Sequence, residues 1–289
     1  MELSELEEIR KIGIIAMFSD DDLMAMLVLK GGNAISMFYG EYSRASIDLD
    51  FSLCDDIDKK DFSTIESKIK KVLEKSFQEH GYFVFDFKFY EKPRVKKEGI
   101  KDFWGGYRVE FKLMEKERVK DFLGNIEKMR KGALALGSGE KKSFTIDISK
   151  HEYCGPKEEK ELDGFTIYVY TPEMLVIEKI RAICQQMDEY PYGTKSARAR
   201  DFIDIYILME NQKVDLLKER NIELIKLIFA AKEVPLELIG KIPEYREFHE
   251  RDFRSVVDTI HASFPLKDFN YYFDYVVGKT ERLKMLWKM

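Results

Sequence analysis

The sequence predicts an α+β fold, in which a mixed sheet with flanking helices is followed by a part that is helical throughout. Short stretches in which apolar and polar residues alternate, the pattern of half-buried strands, are confined to the first 170 residues. From Thr171 onward, apolar residues recur at helical spacing almost to Met289, with breaks near prolines. We therefore predict two domains, one at residues 1–170 that holds the sheet and one at residues 171–289 that holds only helices.

The first two helices are predicted at residues 5–17 and 20–28, where apolar side chains recur at helical spacing. Asp20 begins the second segment and can cap that helix, because its carboxylate can accept hydrogen bonds from the first free backbone N–H groups.

A glycine turn, Gly31-Gly32, follows the second helix directly. Asn33 can cap a further short helix that ends at Gly40. The turn and the start of that helix would bring backbone N–H groups and the positive end of a helix dipole together. Because glycine has no side chain, the backbone can approach phosphate oxygens closely at such a turn. This segment therefore predicts a phosphate-binding turn.

The strand predicted at residues 46–53 presents two carboxylates on one face. Its apolar residues alternate with polar ones, so that one face is buried and the other carries Asp48 and Asp50. Their Cα atoms would lie roughly 6 to 7 Å apart. At that range like charges raise each other's pKa, whereas a divalent cation between them turns the repulsion into chelation. We expect that cation to be Mg²⁺.

The remaining elements follow from the same two patterns. Residues 107–113 alternate most regularly between apolar and charged side chains. Thr171, Pro172 and Glu173 predict a helix start, with a capping hydroxyl, a proline at the first helical position and an acidic first turn. The other predicted elements are a helix at 61–79, a strand at 82–90, a helix at 117–135, and strands at 144–149 and 165–170.

The paired carboxylates suggest nucleotidyl transfer. In that reaction an oxygen nucleophile displaces pyrophosphate from an α-phosphate, and two metal ions about 3.5 to 4 Å apart bridge the reacting groups. Asp48 and Asp50 can hold both ions. A third carboxylate is needed for the ion that activates the nucleophile. Asp147, on the polar side of the strand at 144–149, is favoured for this role, with Glu110 as its rival.

A second group of charged residues lies in the helical part. Lys179, flanked by isoleucines on a predicted helix, could reach phosphate oxygens as a point charge. Asp201 and Asp204 lie three residues apart and share one face of the next helix. The alternative is purely structural, an ion pair of Asp201 with Lys179 or Arg200. The candidates for a basic surface that holds phosphates of donor or acceptor are Arg44, Lys195, Arg198 and Arg200.

Composition narrows the class of protein. With 289 residues, 35% charged side chains and no long apolar run, the chain predicts a globular protein with no membrane span. The acidic N-terminus lacks the basic start and apolar run of a secretory signal, so we expect a cytoplasmic protein. The cysteine and histidine spacings, and the lack of Gly-x-Gly-x-x-Gly and Walker sequences, argue against zinc, Rossmann and P-loop chemistry. The net charge of -5 does not indicate nucleic-acid binding.

Together these motifs resemble the AbiEii/AbiGii-type nucleotidyltransferase toxins of type IV toxin-antitoxin systems, within the DNA polymerase β-like superfamily. The matching segments run in the family's order from residue 30 to residue 206. They are Lys30-Gly31-Gly32-Asn33, Arg44 with Ser46-Ile47-Asp48-Leu49-Asp50-Phe51, Thr145-Ile146-Asp147-Ile148-Ser149, Glu178-Lys179-Ile180-Arg181-Ala182 and Arg200-Asp201-Phe202-Ile203-Asp204-Ile205-Tyr206. Asn33 is a departure, because threonine or serine is frequent at that position in the family.

The resemblance implies a polymerase β-like nucleotidyltransferase domain and a helical domain that together form one cleft. It also implies that Lys179 contacts phosphates and that Asp201 belongs to the active site. Taken with the residue patterns, it gives the nucleotide-binding candidates Lys30, Gly31, Gly32, Asn33, Arg44, Ser46 and Lys179. The catalytic candidates are Asp48, Asp50, Asp147, Lys179 and Asp201, of which the first three are the metal ligands.

Members of this family transfer nucleotides from NTP, some of them to the 3′ acceptor end of tRNA. The resemblance therefore implies a Mg²⁺-dependent enzyme that holds two ions and uses NTP, with RNA, most plausibly tRNA, as acceptor and a separately encoded antitoxin as partner. Two alternatives stay open. One is nucleotidylation of a protein or small-molecule hydroxyl, and the other is a nucleotide- or RNA-binding module without catalysis.

Overall fold

A seven-stranded mixed sheet lies at the centre of the computed structural model, which describes residues 3–40, 48–94, 101–122, 124–136, 141–193, 195–257 and 264–287. The strands are β1 (Leu27–Lys30), β2 (Leu49–Leu53), β3 (Tyr82–Lys92), β4 (Gly106–Glu115), β5 (Phe144–Ser149), β6 (Glu158–Leu162) and β7 (Phe165–Val169). Across the sheet they lie in the order β3-β4-β5-β2-β1-β7-β6. β2 and β5 pair in parallel, as do β1 and β7, whereas the other neighbours are antiparallel.

Helices flank this sheet and form the part of the chain that follows it. They are α1 (Leu3–Phe18), α2 (Asp21–Met26), α3 (Gly31–Ala34), α4 (Phe62–Glu79), α5 (Lys116–Val119), α6 (Ile126–Gly132), α7 (Pro172–Cys184), α8 (Ala199–Asn211), α9 (Glu219–Ala230), α10 (Arg246–Glu250), α11 (Phe253–Val257) and α12 (Phe269–Glu281). A π-helical turn at Ile35–Tyr39 continues α3, and 3₁₀ turns lie at Lys120–Phe122, Leu236–Tyr245 and Lys284–Leu286. In the part of the chain described here, no helix combines the length and apolar character that crossing a bilayer demands.

The predicted α+β class is confirmed, and so are the clearest local signals. In β4 the apolar residues of the alternating stretch are buried, whereas the charged residues between them are only partly buried. Asp20 caps α2 by accepting from the backbone N–H groups of Asp22 and Leu23. Thr171 caps α7, where its hydroxyl accepts from the Met174 N–H at 3.2 Å.

One predicted helix was partly wrong, because its last residues form a strand. The segment at 20–28 is helical only to Met26, and Leu27–Lys30 is β1. All four residues of β1 are buried. A strand buried on both faces shows no alternation of apolar and polar residues, so its sequence does not distinguish it from the end of an apolar helix.

The helix predicted at 117–135 is also wrong as a single element. It is divided into α5, a 3₁₀ turn and α6. Gly124 adopts a positive φ of 82° between them, and the Asn125 side chain accepts from the Lys128 N–H to start a new helix. β6 escaped prediction altogether, because its residues Glu158–Leu162 are almost all charged and form an exposed edge of the sheet.

The hydrophobic core extends from the sheet into the helices that follow it. One cluster of buried apolar side chains includes Phe51 and Phe77 as well as Ile180 and Phe202. At the junction, the buried Tyr170 hydroxyl donates to Ser52 Oγ in β2 at 2.8 Å. The sheet and α7 are thus packed directly on each other, and the division into domains at residue 170 stays a prediction.

Candidate active site

A cavity of about 1160 Å³ lies between the polar face of the sheet and helices α7 and α8. Its walls bring together most of the residues that the sequence singled out, from segments up to 171 positions apart in the chain. The predicted site residues among its lining are Lys30, Gly31, Gly32, Asp48, Asp50, Asp147, Lys179 and Asp201. Their roles stay predictions, but these residues lie in one cavity, as the roles require.

A row of four charged residues crosses four strands of the sheet, and three of them, Lys30, Asp50 and Asp147, line the cavity. Lys30 in β1 is the register partner of Asp50 in β2, Asp50 that of Asp147 in β5, and Asp147 that of Arg108 in β4. Register partners on neighbouring strands lie about 4.8 Å apart and point to the same face. Two carboxylates therefore stand side by side between two cations.

Burial also disfavours the charged form of Asp50. It raises the pKa of this carboxyl group to about 7, and the neighbouring carboxylates of Asp147, Glu178 and Asp48 act in the same direction. The positive charge of Lys30 opposes this shift. A carboxylate whose charge is this costly to bury is strongly stabilised by an added cation.

Gly31 lies directly against that carboxylate. Its φ is 68°, a left-handed conformation, and a Cβ built on it would lie 2.6 Å from Asp50 Oδ2. Both conditions make any residue other than glycine energetically costly at this position. The two glycines begin α3 instead of forming a separate turn before it, so the backbone at the start of α3 reaches the Asp50 carboxylate without an intervening side chain.

The prediction that Asn33 caps the short helix was wrong, because Asn33 lies within α3, whereas its nucleotide-binding role stays a prediction. It is fully buried within α3, caps no helix and does not belong to the cavity wall. Its side-chain amide donates to the backbone oxygen of Asp48 at 2.7 Å and accepts from Arg10 Nη1 at 3.4 Å. The side chain thus holds the backbone of Asp48 in place. Two further nucleotide-binding candidates, Arg44 and Ser46, lie outside the described residues.

The other two carboxylates of the predicted metal site are paired with cations. Asp48 Oδ1 lies 2.9 Å from Lys141 Nζ. Asp147 accepts from both Nε and Nη2 of Arg108 at 2.7 Å each, and Lys92 Nζ lies 3.6 Å away. Among the residues described, no three or more acidic, histidine or cysteine side chains are gathered closely enough to hold a metal ion as they stand. All three side chains nonetheless offer carboxylate oxygens, the ligands that Mg²⁺ prefers.

Glu110, the rival of Asp147, lies further along β4. It faces Thr145 across the strand pair and accepts a hydrogen bond from the Tyr90 hydroxyl. It is not part of the cavity wall. The position beside Asp50 is therefore that of Asp147, and we retain Asp147 as the third carboxylate.

Lys179 and two aspartates form a buried ionic group at the opposite wall. Lys179 Nζ lies 2.8 Å from Asp201 Oδ1 and 2.8 Å from Asp204 Oδ2. All three side chains are at most 10% exposed. Burial would raise the pKa of Asp201, but the charges of Lys179 and Arg198 lower it below its usual range. The ion pair that the sequence offered as an alternative is present, and Lys179 and Asp201 also face the cavity.

The predicted basic surface is only partly realised. Lys195 donates to the backbone oxygens of Gln185, Met187 and Tyr190. Its ammonium group therefore stabilises the loop that follows α7. Arg198 Nη1 lies 3.5 Å from Asp201 Oδ2 and is about one-third exposed. Arg198 and Arg200 both line the cavity, on the same side as Lys179.

Sequence reasoning missed a buried network centred on Glu152. Its carboxylate accepts from Arg181 Nη1 at 2.8 Å and Nη2 at 3.1 Å, with Lys30 Nζ at 3.4 Å and Lys232 Nζ at 3.7 Å. Burial opposes its charge, yet these cations hold its pKa well below the usual range. Lys30 also pairs with Glu178 at 2.8 Å. The Glu178-x-x-Arg181 spacing hinted at half of this network, but Glu152 lies outside any regular element.

A family model and several solved structures match this chain. The family model described as "Nucleotidyl transferase AbiEii toxin, Type IV TA system" matches residues 14–275. Several solved structures are similar to the chain, among them the following two. One, assigned as a nucleotidyltransferase, comes from H. pylori (16% identity, 99% of this chain and 96% of that chain, TM-score 0.46). The other is an antigenic nucleotidyltransferase-like protein from Paracoccidioides brasiliensis (14% identity, 89% and 93%, TM-score 0.39). These TM-scores are too low to support an inference. None of the curated proteins matches the chain.

Proposed function

Since the chain belongs to the AbiEii nucleotidyltransferase toxin family and is a nucleotidyltransferase, we propose that it transfers a nucleoside monophosphate from NTP to an acceptor hydroxyl in the cavity between sheet and helices. The acceptor oxygen attacks the α-phosphorus, the bond from that phosphorus to the leaving pyrophosphate breaks, and the hydroxyl gives up its proton. The observation that carries this proposal is the pairing of Asp50 with Asp147, with the Gly31 backbone against Asp50.

Asp48, Asp50 and Asp147 would hold Mg²⁺, with two ions as the expected number. The donor set fits, because all three residues offer carboxylate oxygens and the charge of Asp50 is costly to bury without a cation beside it. When bound, the ions would stabilise the negative charge on the transferred phosphoryl group and the leaving pyrophosphate. Lys141 contacts only Oδ1 of Asp48, whereas Arg108 donates one hydrogen bond to each oxygen of Asp147. An ion at Asp147 would therefore share these oxygens with Arg108 or displace one of its hydrogen bonds.

The phosphates of the donor would lie between the start of α3 and the helical wall. The backbone at Gly31 and Gly32 offers N–H groups without side chains in the way. Arg198 and Arg200 supply positive charge from the opposite wall. Asp201 and Asp204 already balance the charge of Lys179, so Lys179 would contact a phosphate by exchanging its pair with Asp201. The charge of Lys30 is already balanced by Glu178 and Glu152. We therefore propose that Lys30 positions these two carboxylates and sets the electrostatic potential at Asp50.

RNA, most plausibly the 3′ end of tRNA, is the acceptor that we propose, with growth inhibition as the outcome and a separately encoded antitoxin as partner. The family description supports the toxin-antitoxin context. Arg198 and Arg200 on the cavity wall support binding of a phosphate-rich substrate. We also propose action in the cytoplasm, where NTP and tRNA occur together.

The test is transfer of label by the purified chain. Each α-labelled NTP is incubated with Mg²⁺ and, separately, with total RNA, with a protein extract and with small aminoglycosides. We expect label in RNA and its loss in Asp48→Ala, whereas Glu110→Gln, an acidic residue of the same sheet outside the cavity, keeps activity. Label in protein or in the small molecule would overturn the RNA acceptor. Binding of NTP without transfer to any acceptor would leave only the binding module.

A further inference from the structure

Two aromatic side chains, Trp104 and Tyr192, form part of the cavity wall and have no role in the site described so far. Trp104 precedes the first residue of β4, and Tyr192 lies in the loop between α7 and α8. Their rings stack with centroids 5.9 Å apart and an interplanar angle of 27°. Both side chains are only partly buried, so aromatic surface is open to the cavity.

This aromatic pair is held in place from behind. A Cβ on Gly193 would lie 2.8 Å from Trp104 Cζ2, so the indole packs directly on that backbone. The ring of Tyr190 lies 5.8 Å from Trp104, and its hydroxyl donates to the backbone oxygen of Lys232 at 2.8 Å. A ring fixed in this way needs little further ordering when a planar ligand binds.

The cavity wall along α7 and Gln185 runs from the contact with Lys30 to the contact with Tyr190, which packs on Trp104. It presents Glu178, Ala182 and Gln185 to the cavity, which span seven residues or about 10 Å of helix. The Glu178 end contacts Lys30, next to Gly31. The Gln185 end donates from Nε2 to the Tyr190 hydroxyl at 3.3 Å. Phosphate chemistry and aromatic surface thus occupy opposite ends of one cavity.

We propose that Trp104 and Tyr192 bind the nucleobase of the donor NTP by stacking. This inference rests on the proposed function. A donor whose phosphates lie against Gly31 and Gly32 can place its base on the aromatic pair, because both line the same cavity. Every base has an aromatic face that can stack, so this contact gives affinity with little selection among bases.

Binding of NTP compared with inorganic tripolyphosphate tests the proposal, because tripolyphosphate lacks a base. In Trp104→Ala we expect the Kd of NTP, measured by calorimetry with Mg²⁺ and no acceptor, to rise about 5- to 150-fold, and that of tripolyphosphate to stay unchanged. Trp104→Phe, which keeps a flat ring, should restore most of the affinity. Equal weakening for both ligands, or for neither, would overturn the proposal.

Fluorescence tests the native side chain. The chain has 2 tryptophans, and Trp287 packs on Gly240 outside the cavity wall, so Trp287→Phe leaves Trp104 as the reporter. We expect NTP alone to quench its emission and tripolyphosphate to leave it unchanged. Quenching only after RNA is added would show that the aromatic pair binds the acceptor, and would overturn the proposal. If NTP neither binds nor reacts, the proposed function fails too, whereas transfer with unquenched Trp104 contradicts this inference alone.

Discussion

Asp50 and Asp147 are direct neighbours across the parallel strands β2 and β5, although 97 positions separate them in the chain. If this pair carries the reaction, replacing either with asparagine removes an oxygen ligand and a negative charge at once. We expect Asp50→Asn and Asp147→Asn each to lower the rate of nucleotide transfer at least about a hundredfold. The measurement is initial rate at saturating NTP. Activity within threefold of the unmodified chain in either variant would contradict the assignment.

Gly31 and Gly81 make a matched pair for testing the close approach at Asp50. Both have positive φ, but a Cβ at Gly81 would meet nothing within 4 Å, whereas one at Gly31 would collide with Asp50 Oδ2. In both alanine variants we expect the positive φ to lower the free energy of unfolding, measured in urea, by about 1–2 kcal/mol, and the collision with Asp50 to lower it further in Gly31→Ala. Only Gly31→Ala should also abolish most transfer activity. Similar activity in the two variants would show that the contact with Asp50 is unimportant.

Lys179 balances two buried carboxylates, so its removal should affect stability as well as activity. We expect Lys179→Met to lower the free energy of unfolding by about 3–5 kcal/mol, because Asp201 and Asp204 lose the buried cation that they share. The control is Lys226→Met, which removes an exposed pair with Glu223 and should cost at most about 1 kcal/mol. Adding Asp201→Asn and Asp204→Asn to Lys179→Met should recover stability. A loss as small as that of the control would contradict the structural role.

His249 should make the fold sensitive to acid. Burial lowers its pKa to about 4, with Arg198 acting in the same direction and Asp201 against it, and its Nδ1 accepts from the Arg198 N–H. The unfolded chain takes up this proton near pH 6.5. Stability therefore falls as the pH drops from about 6.5 to about 4.

Urea unfolding across this pH range measures the effect. We expect a shallower loss of stability in His249→Asn than in the unmodified chain, because the asparagine oxygen can accept the same N–H and takes up no proton. His80→Gln, at an exposed histidine, should leave the profile as it is. Superimposable profiles for His249→Asn and the unmodified chain would refute the prediction.

The parts of the fold that could be predicted are those in which one face meets water and the other meets the core. β4 and α4 are of this kind, and their periodicity identified them. α7 is buried almost throughout and was identified by the capping residues at its start. β1 is buried on both faces and β6 is an edge of charged residues, so neither carries the alternation that identifies a strand. Their existence depends on neighbours that are distant in sequence.

The site shows the same limit. Its carboxylates and glycines could be selected because each lies in a short local pattern. The residues that hold the site in place could not be selected in this way. Asn33 donates a hydrogen bond to the backbone of Asp48, and Glu152 pairs with cations from three other segments. Such contacts are set by packing, which no spacing in the sequence encodes. The stacking of Trp104 on Tyr192 is equally a product of tertiary structure.

The Glu152 network decides whether the sheet can be transplanted. Lys30 and Glu152 belong to the first 170 residues, whereas Arg181, Glu178 and Lys232 belong to the rest. A chimera that joined this sheet to foreign helices would bury Glu152 without its guanidinium partner, a change of the kind that costs several kcal/mol. Exchange of parts between relatives would therefore succeed only when the sheet travels with its own α7 and with the segment that carries Lys232.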